Sequence, residues 1–381
     1  MHSWEQRKLS GYLSTSDLKN REGTFSKKDV LSVSGREGVV NQIDFQGRSF
    51  AGKSVRDYRI VKHFDIVYTK SPLKEAPFGI IKTNLGQAGI VSTLYAVYSP
   101  LKNIYPPIIQ RYFESSSRLN NFLRPLVNKG AKNDMKVKNS EVLKGTVILP
   151  SISEQYRIDL FFKTLDDLIA ACERKSELLK KRKRYYLQQI FSQRLRFKGF
   201  TQPWQERKLG ACVRIRQESL NTNNSDTVKI DIELENLSED SGVVTGDTTI
   251  RTSSTSVFRK NDVLFGRLRP YLHKWWLATE NGVKSGEIWA FTSNELIPYF
   301  LYGIIQSRAF LTVAEQSSGT KMPRADWKHI REASIFYPDN SAEQKLIGDL
   351  LYISDGLLHK QRNQILLFQT MKQAYLQLLF I

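Results

Sequence analysis

Cysteine is almost missing from this sequence. Cys172 and Cys212 are the only two in 381 residues, which excludes a disulfide framework and fits a reducing cytoplasm. Histidine is nearly as scarce: His2, His63, His273, His329 and His359 are scattered without ligand spacing, so no metal site is expected. No segment approaches the ~18 consecutive apolar residues of a spanning helix. The opening Met1-His2-Ser3-Trp4-Glu5-Gln6 has neither the basic start nor the apolar run of a signal peptide. Gly-x-Gly-x-x-Gly and Gly-x-x-x-x-Gly-Lys-Ser/Thr are both absent, so no nucleotide or cofactor cradle is signalled. The Asn/Asp-Pro-Pro-Tyr/Phe tetrapeptide of amino-methyltransferases is absent too, and Tyr105-Pro106-Pro107-Ile108 does not replace it. No catalytic residue is singled out. A nuclease built on scattered carboxylates is the one enzyme class that motifs leave open.

Acidic residues are also in deficit. The chain has 57 Lys+Arg against 38 Asp+Glu, a net charge of +19 and a pI near 9.7. An excess of that size points to a polyanionic partner. With 40% hydrophobic and 11% aromatic residues, the composition is enough to build packed cores, and a folded rather than disordered chain is expected.

What the sequence does have is a copy of itself. Trp4-Glu5-Gln6-Arg7-Lys8-Leu9 returns as Trp204-Gln205-Glu206-Arg207-Lys208-Leu209, an offset of 200. Glu154-Gln155 returns as Glu343-Gln344 at an offset of 189, and that offset then holds to the end of the chain. It pairs Ile158/Ile347, Asp166/Asp355, Leu168/Leu357, Leu178/Leu367, Lys183/Lys372, Tyr186/Tyr375, Leu187/Leu376, Gln188/Gln377 and Phe191/Phe380. Each copy reads as a divergent block followed by a long helix.

Heptad spacing supports the helices. The first copy presents Ile158, Phe162, Leu165, Ile169, Cys172, Ser176, Leu179, Lys183, Tyr186 and Ile190. The second presents Ile347, Leu351, Ser354, Leu358, Gln361, Ile365, Phe368, Lys372, Tyr375 and Leu379. A mostly apolar stripe sustained over five heptads is a coiled-coil seam. Pro150 and Pro338 stand just ahead, followed by Ser and Asn residues able to cap. Because a whole block joins them, the two helices are expected to pack antiparallel, with Ile158, Phe162, Leu165, Ile169, Leu179, Tyr186, Ile347, Leu351, Leu358, Ile365, Phe368 and Tyr375 in the seam.

The blocks hold short β-rich runs such as Asp65-Ile66-Val67-Tyr68 and Asp262-Val263-Leu264-Phe265, broken by Gly, Asn and Pro turns. Helical stretches are expected at 106–124 and 296–314. The expectation is an α+β protein: two mixed α/β domains separated by a long antiparallel two-helix coiled coil, with a pseudo-twofold internal repeat. Its divisions are a first domain at 1–149, a central helix at 150–196, a second domain at 197–337 and a C-terminal helix at 338–381.

Candidate nucleic-acid contacts follow from charge and side-chain type. Glu173 to Lys198 holds ten basic and two acidic residues, +8 of the total, suited to phosphates, to an acidic protein or simply to water. In the second block Arg267, Arg269, Tyr271, His273 and Lys274 crowd one run, where arginine can read guanine bidentately. The first block has Lys70, Lys74 and Lys82 in the matching place. Glycine loops at Lys129-Gly130-Ala131-Lys132 and Ser318-Gly319-Thr320-Lys321, the latter followed by Arg324, allow close backbone approach to a phosphate and add a cation.

The Trp-x-x-Arg-Lys-Leu block starts, the second led by Arg196-Phe197-Lys198-Gly199-Phe200, resemble the opening of target-recognition domains in specificity subunits of Type I restriction-modification enzymes. The helix that starts at Pro150-Ser-Ile-Ser-Glu-Gln and runs to Lys183-Arg-Tyr-Tyr-Leu-Gln-Gln-Ile-Phe191 is similar to that family's spacer regions. The resemblance covers essentially the whole chain. One departure is that the first copy begins three residues before Trp4 and lacks the Arg-Phe-x-Gly-Phe lead, which leaves its true start open.

The resemblance implies a non-catalytic DNA-specificity subunit, each domain reading half of a bipartite target. It implies two modification subunits, which hold S-adenosylmethionine and methylate adenine, and motor-nuclease subunits, which use ATP and Mg. It implies no cofactor in this chain. A free-standing sequence-specific DNA-binding protein is the alternative that the residues alone leave standing.

Overall fold

The computed structural model describes residues 4–70, 76–129, 135–220, 230–249, 256–316 and 322–380. They form two compact units, one of Met1–Ala170 with Leu366–Ile381 and the other of Ala171–Ile365. Two long helices, Ile152–Phe191 and Ser341–Leu378, contribute to both.

Within each unit the same strand order recurs. In the first, an antiparallel sheet runs Leu13–Ser16, Tyr95–Pro100, Ile66–Thr69, Ile81–Thr83. In the second, Arg214–Ile215, Ile288–Thr292, Val263–Gly266 and Trp275–Leu277 repeat it. The strand after the opening tryptophan pairs with the strand before the long helix both times: Glu5–Lys8 with Thr146–Leu149, and Gln205–Lys208 with Ser334–Tyr337. The duplicated Glu/Gln-Arg-Lys run is therefore a pairing strand that closes each block on itself.

Local chemistry explains the sheet starts. Asp65 and Asp262 each sit one residue after a left-handed residue, Phe64 at φ 69° and Asn261 at φ 74°. Each aspartate accepts from a backbone N–H three residues upstream, Lys62 and Arg259, at 2.8 Å. The turn thus ends in a fixed direction and launches a strand that is buried along its length, Ile66–Thr69 or Val263–Gly266.

The long helices begin identically. Gln155 Oε1 accepts from the Tyr105 N–H at 2.9 Å, and its Nε2 donates to the Pro150 carbonyl at 2.8 Å. Gln344 does the same with the Ile297 N–H and the Pro338 carbonyl, both at 2.9 Å. Both glutamines are buried, so the repeated Glu-Gln is a helix-to-domain lock. A buried side-chain amide left unpaired would cost about 1–3 kcal/mol.

The helix ends are core elements rather than free rods. In the first unit Ile158 and Phe162 share a core with Leu376 and Phe380. Phe162 stacks on Phe380 at 6.3 Å, and Phe161 meets Tyr375 edge-on at 5.0 Å. In the second unit Ile190, Ile347 and Leu351 share a core, with Tyr186 and Phe191 packed against it. In the first unit the start of the first helix meets the end of the second, and in the second unit the end of the first meets the start of the second, so within each unit the segments run antiparallel. Of the seam candidates, Leu165 is also buried, Ile169, Leu179, Leu358, Ile365 and Phe368 are half-buried, and Tyr375 is 36% exposed.

Candidate nucleic-acid interface

The strand Val263–Gly266 delivers the chain into residues 267–274, and Trp275–Leu277 takes it back antiparallel. This places Arg267, Arg269, Tyr271, His273 and Lys274 on one short connection. Most of these side chains are already engaged. Arg267 stacks over Trp289 at 5.6 Å and lies 3.9 Å from Glu287. Arg324 grips the same Glu287 with two nitrogens, Nε at 3.0 Å and Nη2 at 2.8 Å. A carboxylate between two arginines lowers the positive field that a phosphate would meet. Arg324 holds the Glu287 carboxyl below the usual carboxylate range, against the opposing effect of burial.

His273 is clamped from both sides, with Nδ1 3.0 Å from Asp240 and Nε2 2.6 Å from Glu315. The hydrogen bond to Asp240 leads in raising its pKa to about 9, opposed by burial and helped by Glu315. The imidazolium is therefore charged near neutrality, yet flanked by two carboxylates. Lys274 Nζ donates to the Leu234 carbonyl at 3.0 Å. Arg269 and Tyr271 differ: both are exposed, and neither side chain has a partner among the described residues. Arg269 is held left-handed at φ 50°, and its N–H donates to the Pro323 carbonyl at 2.8 Å.

In the first unit, Lys70 ends the strand Ile66–Thr69 half-buried, and burial pulls its pKa down. Lys82 is buried inside the strand Ile81–Thr83 and belongs to the core rather than to a surface. Lys129 lies in the short strand Asn128–Lys129. Lys74, Lys132 and Lys321 lie outside the described residues.

The basic run on the first long helix splits in two. Arg174, Lys175, Lys180, Lys181, Arg182 and Arg184 are exposed. Lys183 is buried and bonded to Asp355 and Gln306. Arg196, of the Arg-Phe-Lys-Gly-Phe lead, makes two bonds to Glu343 at 2.9 and 2.8 Å, and Trp204 Nε1 donates to the same carboxylate at 3.3 Å. That lead is thus a structural tie to the second long helix. In the first unit Trp4 meets Phe380 edge-on at 6.0 Å.

Sequence reading missed the polar network around Arg111. This buried side chain contacts Asp159 at 2.9 Å, Asp166 at 2.7 Å and Glu114 at 3.2 Å. Burial opposes its charge, but Glu114, Asp166 and Asp159 outweigh that and raise its pKa. Asp166 falls within the repeat, so its match to Asp355 was the available signal. Local spacing offered only Glu114, three residues on; the other two partners are 48 and 55 residues away.

Two α+β units with one strand order, each completed by parts of two long helices, define a duplicated architecture that solved structures share. The chain is similar to the S subunit of a Type I restriction-modification system from M. genitalium, with a TM-score of 0.62, 12% identity, and coverage of 100% of this chain and 96% of that one. It is also similar to a chain solved in work on complex assembly and conformational transition of the type I R-M system, with a TM-score of 0.52, 16% identity and coverage of 98% and 97%. No family model and no curated protein matches the sequence. The chain has the fold of a Type I restriction-modification S subunit. Among the described residues, no helix is long and apolar enough to cross a membrane.

Proposed function

We propose that this chain is the DNA-sequence-specificity subunit of a Type I restriction-modification complex and acts in the cytoplasm. Each unit reads one half of a bipartite double-stranded target, and the chain positions two methyltransferase subunits and the motor-nuclease subunits. S-adenosylmethionine belongs to the former, ATP and Mg to the latter, and the chemistry to both rather than to this chain. One observation carries the reading: a full-length likeness to an S subunit, in a chain whose two units share a strand order but differ in their loops. The net charge of +19 supports a polyanionic partner. Exposed leucines repeated in register on the two long helices, Leu168 with Leu357 and Leu178 with Leu367, support a pair of equivalent docking faces for two copies of one protein.

The test is the methylome of a host carrying this chain with its modification subunit. Inserting four residues near Ser176 should lengthen the gap between the half-sites and leave both words unchanged. Replacing residues 4–149 with another member's block should change one word only. Altered words with the old gap, or tight specific binding by the chain without any modification subunit, would contradict the proposal.

A further inference from the structure

In the first unit, residues 42–58 connect the hairpin Leu31–Ser34/Gly38–Asn41 to the strand Arg59–Val61. None of the candidate contacts read from sequence falls there. Yet it presents open cations and aromatic rings side by side. Phe45 is 47% exposed and Phe50 57% exposed. The Arg48 guanidinium sits 4.6 Å above the Phe50 ring. Arg48, Lys53 and Arg56 are exposed, and none makes an ion pair among the described residues. In the second unit this contrasts with Arg267 and Arg324, which share Glu287.

The segment is held in place rather than loose. Gln42 Oε1 accepts from the Phe50 N–H at 2.7 Å, and its Nε2 donates to Ser32 Oγ at 3.1 Å. Asn41 Oδ1 accepts from the Ile43 N–H at 2.9 Å, and its Nδ2 donates to the Lys28 carbonyl at 2.7 Å. Gly47, left-handed at φ 75°, turns the chain out of the short helix Gln42–Gln46. These ties fix a connection that presents an arginine stacked on an exposed phenylalanine. Two half-exposed rings close together forgo the stabilisation that burial would give, and a partner on this face would supply it. The corresponding stretch of the second unit, residues 233–255, has one arginine, Arg251, and no lysine, against Arg48, Lys53 and Arg56 here. The framework is shared and the side chains of this connection are not, as expected of an element that reads one word.

Resting on the specificity-subunit reading, we infer that residues 47–56 are the first unit's base-reading element and enter a groove of double-stranded DNA. Arg48 presents a guanidinium to base edges, where its planar fork suits guanine. Phe50 backs it and makes apolar contact with the bases or sugars. Lys53 and Arg56 neutralise flanking phosphates, which fixes register without specifying sequence.

The experiment uses the full chain with its modification subunit in a methylation-free host, read by methylome sequencing and by titration of target duplexes. Arg48→Ala and Phe50→Ala should each relax one half-site, discrimination falling about tenfold to a hundredfold. The other half-site should stay intact, which also shows that the variant folds. Arg48→Lys should give a smaller loss, since an ammonium lacks the fork. It keeps charge and length, and so carries the test if Arg48→Ala does not fold. A Lys53→Ala/Arg56→Ala double variant should keep the motif, bind more weakly and flatten the salt dependence by about two phosphate contacts. An unchanged motif in the Arg48 and Phe50 variants overturns the assignment, as does an unchanged motif with loss of the modification subunit on co-purification, which would make this a protein interface. If the parent chain directs no bipartite motif at all, the specificity-subunit reading falls, and this assignment with it.

Discussion

Lys372 Nζ lies 2.6 Å from Asp166 in the first unit, and an offset of 189 residues turns this pair into Lys183 and Asp355 of the second. The copies are alike in connection but not in environment. Asp166 is 37% exposed, whereas Lys183 and Asp355 are both 8% exposed. In the buried copy, Tyr302 also donates to Asp355 at 2.8 Å, and Gln306 accepts from Lys183. Burial pulls Lys183 down and Asp355 up, each opposed by its partner.

Breaking the buried pair from one side should therefore be severe. Asp355→Ala leaves an ammonium without its counter-charge, and about 3–5 kcal/mol of stability should be lost. A Lys183→Met/Asp355→Leu double variant should recover most of it, because two apolar side chains need no partner. Asp166→Ala should cost clearly less, since water already screens that carboxylate. Urea unfolding of the three variants checks the order, and equal losses at both sites would be inconsistent with it.

The glutamine locks give a second test. Gln155→Leu and Gln344→Leu each orphan a backbone N–H and a carbonyl that the structure satisfies at 2.8–2.9 Å. Each variant should lose roughly 2–6 kcal/mol, at about 1–3 kcal/mol for each of the two groups left unpaired. The expected signature is faster hydrogen exchange at the Tyr105 or Ile297 amide, confined to the unit that carries the change. Wild-type protection at both amides would refute the lock.

Gly348 offers a case where helix propensity and packing oppose one another. It lies inside the second long helix, and a Cβ there would come within 2.7 Å of the Tyr299 backbone carbon. Alanine in a helix interior normally gains about 1 kcal/mol over glycine. The close approach should reverse the sign, because overpacking costs about 1–3 kcal/mol when backbone must move. Gly348→Ala should lower Tm. The control, Gly356→Ala, where nothing lies within 4 Å, should raise it.

His273 sets a pH dependence. Its pKa in the folded protein is raised from 6.5 to about 9, led by the hydrogen bond to Asp240. The contribution is full below pH 6.5 and is lost as pH rises through about 9. An NMR titration of His273 should show a midpoint near 9, and His273→Gln should flatten stability between pH 6.5 and 9. A midpoint near 6.5 would mean that the clamp does not act.

Legibility in the sequence followed the physics of each feature. The apolar period of the long helices, the alternating strands and the Trp-x-x-Arg-Lys-Leu duplication are local patterns, and local patterns survive without a structure. The repeat even marked Asp166, Lys183, Gln155 and Gln344, though not their roles. Among the contact candidates, charge and side-chain type singled out Arg267, His273 and Arg324, but could not show that Glu287, Asp240 and Glu315 engage them. Residues 42–56 were passed over, because exposure and the freedom of Arg48 from any acid are properties of a folded surface.

The sequence alone determined that this is one plan built twice, basic, with divergent blocks and long helices, because periodicity, composition and repetition are written along the chain. Only the tertiary structure decided which charges are spent inside the protein and which face water. That choice rests on pairs far apart along the chain, such as Lys183 and Asp355, 172 residues apart, and Lys372 and Glu114, 258 apart. Their meeting depends on how two helices fold back into each unit's core, not on any neighbour in the sequence.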